Sequence, residues 1–117
     1  MYESEKQLND LLYDFKIDVR NTDIHAKLSG VEVEKAEPYT RFLEVAEKAR
    51  EEAKNCTPGV TLLDIKVLAY QRGKITNLYE ALGLRTTAKE VLLDADMIIN
   101  TVANLFEESC SCSKKEQ

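Results

Sequence analysis

Two cysteines near the end of the chain carry the side chains best suited to redox or metal chemistry. Cys110 and Cys112 are separated by one residue, and the third cysteine, Cys56, lies far away in the sequence. Paired thiolates could bind a soft metal or cycle between dithiol and disulfide. A zinc site needs more ligands than this pair supplies, so a complete site would require residues from another copy. Three cysteines in this arrangement are a poor disulfide framework, and we expect a reducing, cytoplasmic location.

Acidic residues are the second candidate for chemistry, because carboxylate oxygens are the ligands that Mg²⁺ prefers. Glu51 and Glu52, followed later by Glu90 and Asp94, resemble the acidic motifs of the all-α nucleotide pyrophosphohydrolases of the MazG type. Those enzymes hold the metal with an E-E-x-x-E run and a later E-x-x-D. Asn55 stands where the third Glu is expected, and Glu90 and Asp94 are four apart instead of three. A Mg²⁺-dependent pyrophosphohydrolase is therefore one alternative, and a charged helix face in contact with solvent is the other.

His25 is the only histidine, and its segment, His-Ala-Lys-Leu-Ser-Gly, resembles that of the histidine phosphotransfer domains. Those domains are small four-helix bundles in which Lys and Gly follow the phosphorylated His by three and four residues. Here Leu28 and Ser29 occupy these positions, and Lys27 would point elsewhere on a helix. We therefore predict that His25 lies on the surface or at a helix end.

Residues 75–92 resemble the helix-turn-helix of DNA-binding proteins, with Gly83 in the turn. The resemblance implies a second helix that enters the major groove, with Arg85 among its polar residues. Two positions depart from the motif. Tyr79 stands where the motif has a small residue, and Lys89 stands where it has a buried aliphatic one. A DNA-binding regulator is a further alternative, although the chain shows no concentrated basic patch.

Composition limits the classes of protein that need to be considered. The chain has 117 residues, with 16 basic and 21 acidic residues, a net charge of −5 and only four Gly and two Pro. This length corresponds to one domain, and the scarcity of residues that break helices favours long helices over a turn-rich β fold. The apolar runs are too short to cross a membrane. Because the sequence has no concentrated basic patch, we do not expect nucleic acid as a partner.

The first half of the chain predicts two helices. One begins at Ser4, where Ser4 and Gln7 have the spacing of a capping box, and ends before Gly30. A break at residues 21–23 is the alternative. The inner face of this first helix carries apolar residues at three- and four-residue spacing. An extended connection leads to Pro38, which suits the first turn of a second helix reaching residue 55.

The second half predicts a helical hairpin. Its first arm starts at residue 58 or 61, ends at residue 82 and is followed by Gly83 in a left-handed conformation. Its second arm begins at Thr87, which forms a capping box with Glu90, and ends near Glu108. We predict one domain over residues 1–108 and a disordered polar tail over residues 109–117.

The two arms of the hairpin differ in polarity. The second arm has an apolar side and a polar side, with the apolar pair Leu93 and Met97 among the polar residues. The first arm is apolar on almost all sides, so its complete burial requires a second subunit. We therefore predict an all-α fold, an antiparallel four-helix bundle (or three long helices and a short one) completed by self-association.

The sequence favours a non-enzymatic interaction or adaptor subunit that binds a protein partner or a second copy. No catalytic, metal-binding or cofactor-binding residue is assigned, and no cofactor is predicted. The predicted contacts are apolar residues on the two arms of the hairpin: Leu63, Val67, Tyr70, Leu93 and Met97. Buried apolar and aromatic anchors of this kind carry most of the affinity in protein interfaces.

Overall fold

The computed structural model describes residues 2–31, 33 and 37–115, with side chains as far as Ser111. These residues form four helices, α1 (Glu3–Lys27), α2 (Glu37–Lys54), α3 (Pro58–Ala81) and α4 (Lys89–Lys115). The helices pack into an elongated body of 57 × 22 × 19 Å, and the described part of the chain contains no strand. The predicted all-α four-helix bundle is confirmed.

The core forms where the apolar stripes of the helices meet. Phe15 of α1 lies in this core, with its ring centre 5.0 Å from that of Phe42 and 5.4 Å from that of Tyr39 on α2. Helix α4 packs against each of the other three helices, whereas the backbones of α1 and α3 do not come close to each other within the described residues. Burial of these side chains is the main favourable contribution to the free energy of folding. Because α1 and α3 lie apart, their outer surfaces are separate.

Helix α1 is a single helix, as the preferred interpretation of the sequence predicts. Its C-terminal end is closed by Gly30, which has a φ of 81°, and the Val31 amide donates to the Ala26 carbonyl oxygen at 3.1 Å. The predicted capping box at the N-terminal end is wrong. The helix begins at Glu3, and the Ser4 hydroxyl donates to Glu108 of α4 at 2.6 Å instead of capping its own helix.

The connection between α1 and α2 is held by a buried carboxylate. Val33 is fully buried, and its backbone amide donates to Asp23 Oδ1 at 2.9 Å. Asp23 is itself buried and forms an ion pair with Lys27 at 3.0 Å. A buried carboxylate needs partners of this kind, because an unpaired buried charge is costly. The rest of the predicted extended connection, residues 32 and 34–36, lies outside the described residues.

The turn between α2 and α3 contains a cysteine in an uncommon conformation. The Cys56 amide donates to the Ala53 carbonyl oxygen and the Thr57 amide donates to that of Glu52, each at 3.1 Å, which is the pattern of a Schellman motif. Cys56 occupies the left-handed position of this motif, with a φ of 52°. Glycine is usual there because a Cβ atom is strained in that region.

Cys56 forms a disulfide with Cys110 of α4, and the two Cα atoms are 5.1 Å apart. The prediction that the cysteines form no disulfide is therefore wrong, because the fold brings together residues that are 54 positions apart. The metal or dithiol chemistry considered for Cys110 and Cys112 would need a free Cys110 thiol, but that sulfur is bonded to Cys56. The side chain of Cys112 lies outside the described residues.

Both ends of α4 differ from the sequence prediction. The helix begins at Lys89, because the preceding residues form a separate turn in which the Ala88 amide donates to the Leu84 carbonyl oxygen at 2.8 Å. It also extends past the predicted end near Glu108. Ser109 is buried and its hydroxyl donates to the Ala53 carbonyl oxygen. The predicted disordered tail thus starts too early, because residues 109 and 110 are tied to the α2–α3 turn.

Candidate interaction surface

Helix α3 buries an unusually polar stripe. Its buried side chains recur at three- and four-residue spacing and are Thr61, Asp64, Leu68, Gln71, Ile75 and Tyr79. Thr61 Oγ1, Asp64 Oδ2 and the Tyr79 hydroxyl are buried without a hydrogen-bond partner among the described residues. Buried polar groups without partners destabilise a fold. The inner face of α3 therefore does not explain why this helix is so rich in apolar residues.

The apolar residues of α3 instead lie largely outside the core. Leu63 and Tyr70 are 59% and 62% exposed, and Val67 is half-buried between them. We call these three residues the outer α3 surface. Leu62, on the neighbouring side of the helix, is also exposed. Lys74 follows one turn later, with its Nζ atom 5.1 Å from the centre of the Tyr70 ring. Contiguous exposed apolar residues of this kind usually mark a contact with another molecule.

A shallow groove lies beside the outer α3 surface, between α2 and α3. Its volume is about 330 Å³, and Leu63, Val67 and Val45 supply its apolar lining. Asp64 lines it as well, with one carboxylate oxygen 3.9 Å from Lys48 Nζ of α2. Burial raises the pKa of Asp64, while the nearby Lys48 lowers it in part. The outer α3 surface is thus bordered on its α2 side by a groove that contains both apolar and charged side chains.

The two residues predicted on α4 belong to a different surface. Leu93 and Met97 are about half exposed. Between them in sequence, Asp96 accepts two hydrogen bonds from Arg72 of α3, at 3.0 and 3.1 Å. At about 100° per residue, Arg72 lies on the side of α3 opposite Leu63. The structure therefore does not join the predicted contact residues of α4 to those of α3.

Helix α1 carries a third exposed apolar group that the sequence interpretation missed. Tyr13, Ile17 and Ile24 are 65%, 37% and 55% exposed, and Leu28 beyond them is exposed as well. Their spacing of four, seven and four residues places them on one side of the helix. That periodicity was present in the sequence, but the stronger inner stripe of the same helix concealed it. The charged Arg20 interrupts this group in its middle.

Carboxylates meet at the contact between α1 and α4. Asp94 is 8% exposed, and one of its oxygens has no hydrogen-bond partner among the described residues. Burial raises the pKa of Asp94 to about 7, with further contributions from a hydrogen bond to Asp18 and from the charges of Asp18, Asp14 and Glu90. The Asp94 carboxyl therefore keeps its proton to a higher pH than an exposed aspartate does.

The residues singled out for metal or phosphate chemistry are not assembled into a site. Among the described residues, no group of three or more His, Cys, Asp or Glu side chains could hold a metal ion. Glu51 pairs with Arg50 and Lys54 on α2, while Asp94 lies at the α1–α4 contact. His25 is exposed near the end of α1. Glu51 and His25 are therefore surface residues, and Asp94 is a buried carboxyl distant from them in the sequence.

The connection between α3 and α4 is longer than the turn of a helix-turn-helix. Residues 82–88 connect α3 to α4, whereas that motif uses a turn of three or four residues. Arg85, the expected contact with DNA, forms an ion pair with Glu80 at 3.3 Å. Tyr79 is fully buried and Lys89 is exposed. Each of these two residues lies where the motif would not place it.

Comparisons with protein families, with characterised proteins and with solved structures found no significant match to this chain. In the part of the chain that the structure describes, none of the helices combines the length and apolar character needed to cross a membrane.

Proposed function

We propose that this protein is a helical interaction subunit that binds another protein chain through the outer α3 surface. The observation that carries the proposal is the mixed polarity of both faces of α3. Its buried stripe contains Thr61, Asp64 and Gln71, whereas Leu63 and Tyr70 face outwards. A helix that only needed to pack inside this bundle would place its leucines inwards and its polar residues outwards.

The outer α3 surface has the composition of an interface centre. Tyrosine is enriched at energetically important contact positions, and it loses little side-chain entropy when it is fixed. Tyr70 projects beside Leu63 and Val67, with charged residues of α2 at the rim of the neighbouring groove. An apolar centre with a polar rim is the usual anatomy of a protein interface. The partner in this proposal is either a different protein or a second copy.

Replacement of Tyr70 by Asp tests the proposal, with Tyr13→Asp on α1 as the matched control. Both tyrosines are more than 60% exposed, so neither change should alter the helical content or the stability of one copy appreciably. Tyr70→Asp should weaken the complex at least about 30-fold, the equivalent of a loss of about 2 kcal/mol at an interface centre. Tyr13→Asp should leave binding unchanged.

Two measurements identify the complex in that test. Sedimentation velocity at increasing concentration reports self-association. Photo-cross-linking from position 70 in a native extract, followed by titration of the purified partner, reports a different protein. The proposal requires binding, to a second copy or to a purified partner, that is lost in Tyr70→Asp and kept in Tyr13→Asp. If no binding follows this pattern, the proposal is wrong.

The place where the protein works is a separate part of the proposal. The sequence predicts the cytoplasm, but structural disulfides persist mainly in oxidising compartments. The bond between Cys56 and Cys110 therefore favours an oxidising compartment. If the protein works in an oxidising compartment, alkylation at the moment of cell lysis should modify one free thiol per chain. Modification of three thiols per chain would instead support the predicted cytoplasmic location.

A further inference from the structure

Helices α1 and α4 run side by side in opposite directions. The Ser4 hydroxyl donates to Glu108, and a hydrogen bond joins the carboxyl groups of Asp18 and Asp94. Positions 4 and 18 on α1 are 14 residues apart, as are positions 94 and 108 on α4. These two contacts therefore fix which residues of the two helices lie level with each other.

Four carboxylates follow one another along this contact. Asp14 lies four residues before Asp18 on α1, and Glu90 lies four residues before Asp94 on α4. Because the helices run in opposite directions, Asp14 and Glu90 flank the central pair at intervals of about 6 Å, at 1.5 Å per residue. Among the described residues, none of the four forms an ion pair with a basic side chain. We call these four residues the α1–α4 carboxylate row.

A groove beside this row has room for a ligand. Its volume is about 370 Å³, and Asp18 and Glu90 supply its acidic lining, together with His25 and three uncharged polar residues. Asp94 lies against Asp18 on the inner side of the groove and is 8% exposed, and its Oδ2 atom has no hydrogen-bond partner among the described residues. A buried carboxylate oxygen without a partner is costly. A cation bound in the groove would lower this cost.

We propose that the α1–α4 carboxylate row binds a linear aliphatic polyamine, with successive ammonium groups beside Asp14, beside the pair of Asp18 and Asp94, and beside Glu90. A chain of three or four methylene groups holds two ammonium groups apart by about one helical turn, which is the spacing of the row. The net charge of −5 attracts cations to the chain as a whole. This site is separate from the outer α3 surface and does not depend on the proposed function.

The spread of the carboxylates favours a polyamine over a metal ion. A metal ion needs several oxygen ligands within about 2.0–2.6 Å of one point. The carboxylates of the row instead follow one another along two helices, and no group of three or more His, Cys, Asp or Glu side chains in the described part of the chain could hold a metal ion. An extended polyamine requires only one or two carboxylates near each of its nitrogen atoms.

Polyamine binding at this site should release a proton. Burial and the neighbouring carboxylates raise the pKa of Asp94 to about 7, and a cation beside Asp18 favours the ionised form of Asp94. The affinity should therefore rise about tenfold between pH 6 and pH 8 when the bound state is fully ionised. His25 lines the same groove, and its protonated form would repel the ligand. Its titration therefore changes the affinity in the same direction.

Isothermal titration calorimetry of the full chain with spermidine, 1,4-diaminobutane and Mg²⁺ tests the site, at a constant ionic strength of about 0.1 M. Asp18→Asn and Glu90→Gln should each weaken spermidine binding about fivefold, because each removes one ion pair. Glu107→Gln is the matched control, since it removes the same charge from an exposed position of α4 outside the row. It should leave binding unchanged. Circular dichroism checks that each variant keeps its helices.

Two comparisons separate a built site from general attraction to an acidic protein. The diamine and Mg²⁺ carry the same charge, so tighter binding of the diamine shows that the spacing of the carboxylates matters. Asp94→Asn should remove most of the increase in affinity between pH 6 and pH 8, and His25→Gln should keep the part that Asp94 contributes. The inference is overturned if spermidine does not bind, if Mg²⁺ binds as tightly as the diamine, or if Glu107→Gln weakens binding as much as Asp18→Asn. It is overturned as well if the affinity of Asp94→Asn depends on pH as the wild type does.

Discussion

Removal of the disulfide between Cys56 and Cys110 should lower the free energy of unfolding by about 4 kcal/mol. The bond closes a loop between residues that are 54 positions apart. In the chain-entropy relation, a loop of this length removes about 14 cal/mol/K of entropy from the unfolded chain, or about 4 kcal/mol at 25 °C. Domains of this size are stable by roughly 6–18 kcal/mol, so the bond accounts for a substantial part of the total.

The experiment compares the wild type with a Cys56→Ser, Cys110→Ser double variant by urea denaturation monitored by circular dichroism. We expect a decrease in the melting temperature of roughly 15 °C as well, at about 4 °C per kcal/mol. Cys112→Ser is the matched control and should change neither quantity. The same loss should appear when the wild type is unfolded with a reductant present.

Two results would refute this reasoning. A double variant that unfolds within about 1 kcal/mol of the wild type would show that the bond does not constrain the unfolded chain. A comparable loss in Cys112→Ser would show that Cys112 takes part in the pairing. Mass spectrometry of peptides prepared without reductant identifies the bonded pair directly.

Three further predictions concern single side chains, each measured by chemical denaturation. In the presence of a reductant, Cys56→Gly should be more stable than Cys56→Ala by about 1 kcal/mol. The reason is that the φ of 52° at position 56 is strained for any residue with a Cβ atom. Equal stabilities of the two variants would contradict this. The free energy of unfolding should fall as pH rises from about 4 to about 7, because the pKa of Asp94 in the folded chain is raised to about 7 and only the folded chain keeps this proton in that range. Asp94→Asn should make the free energy of unfolding less dependent on pH. If the pH dependence is the same in Asp94→Asn as in the wild type, the Asp94 carboxyl is already ionised in the folded chain. Tyr79→Phe should be neutral or stabilise the fold by about 1 kcal/mol, because the Tyr79 hydroxyl is buried without a partner among the described residues; a large loss would reveal a hydrogen bond to this hydroxyl.

The positions of the helices could be predicted because their signals are local. Gly30 and Gly83 both adopt positive φ at helix ends, and Pro58 is the first residue of α3. These residues act through their own backbone preferences, which do not depend on the rest of the fold. The capping box at Ser4 failed for the opposite reason, because a glutamate on α4 supplies a tertiary partner for its hydroxyl.

The disulfide could not be predicted from spacing, because only the packed fold brings α4 to the end of α2. One local signal existed. Cys56 stands directly before Thr57-Pro58, at the end of a predicted helix where glycine is the usual residue. A strained cysteine in such a position indicates a structural requirement for its sulfur. Cys110 carries no comparable signal.

The outer α3 surface could be predicted in part. The sequence indicates that α3 has more apolar residues than one bundle can bury, and Leu63 and Tyr70 are indeed exposed. It does not indicate which apolar residues face inwards, since Thr61 and Asp64 take buried positions that periodicity would give to leucine. Separation of this surface from Leu93 depends on how α4 docks on α3, which is a tertiary property.

Pulling the chain from its two ends would load the molecule through the bond between Cys56 and Cys110. The force would bypass all residues between the two cysteines, which are 54 positions apart. At about 3.5 Å per residue, roughly 190 Å of contour length would stay hidden. Only α1, α2 and the last few residues of α4 could be drawn out, while α3 would carry no tension. Reduction of a single covalent bond would release the hidden length in one step.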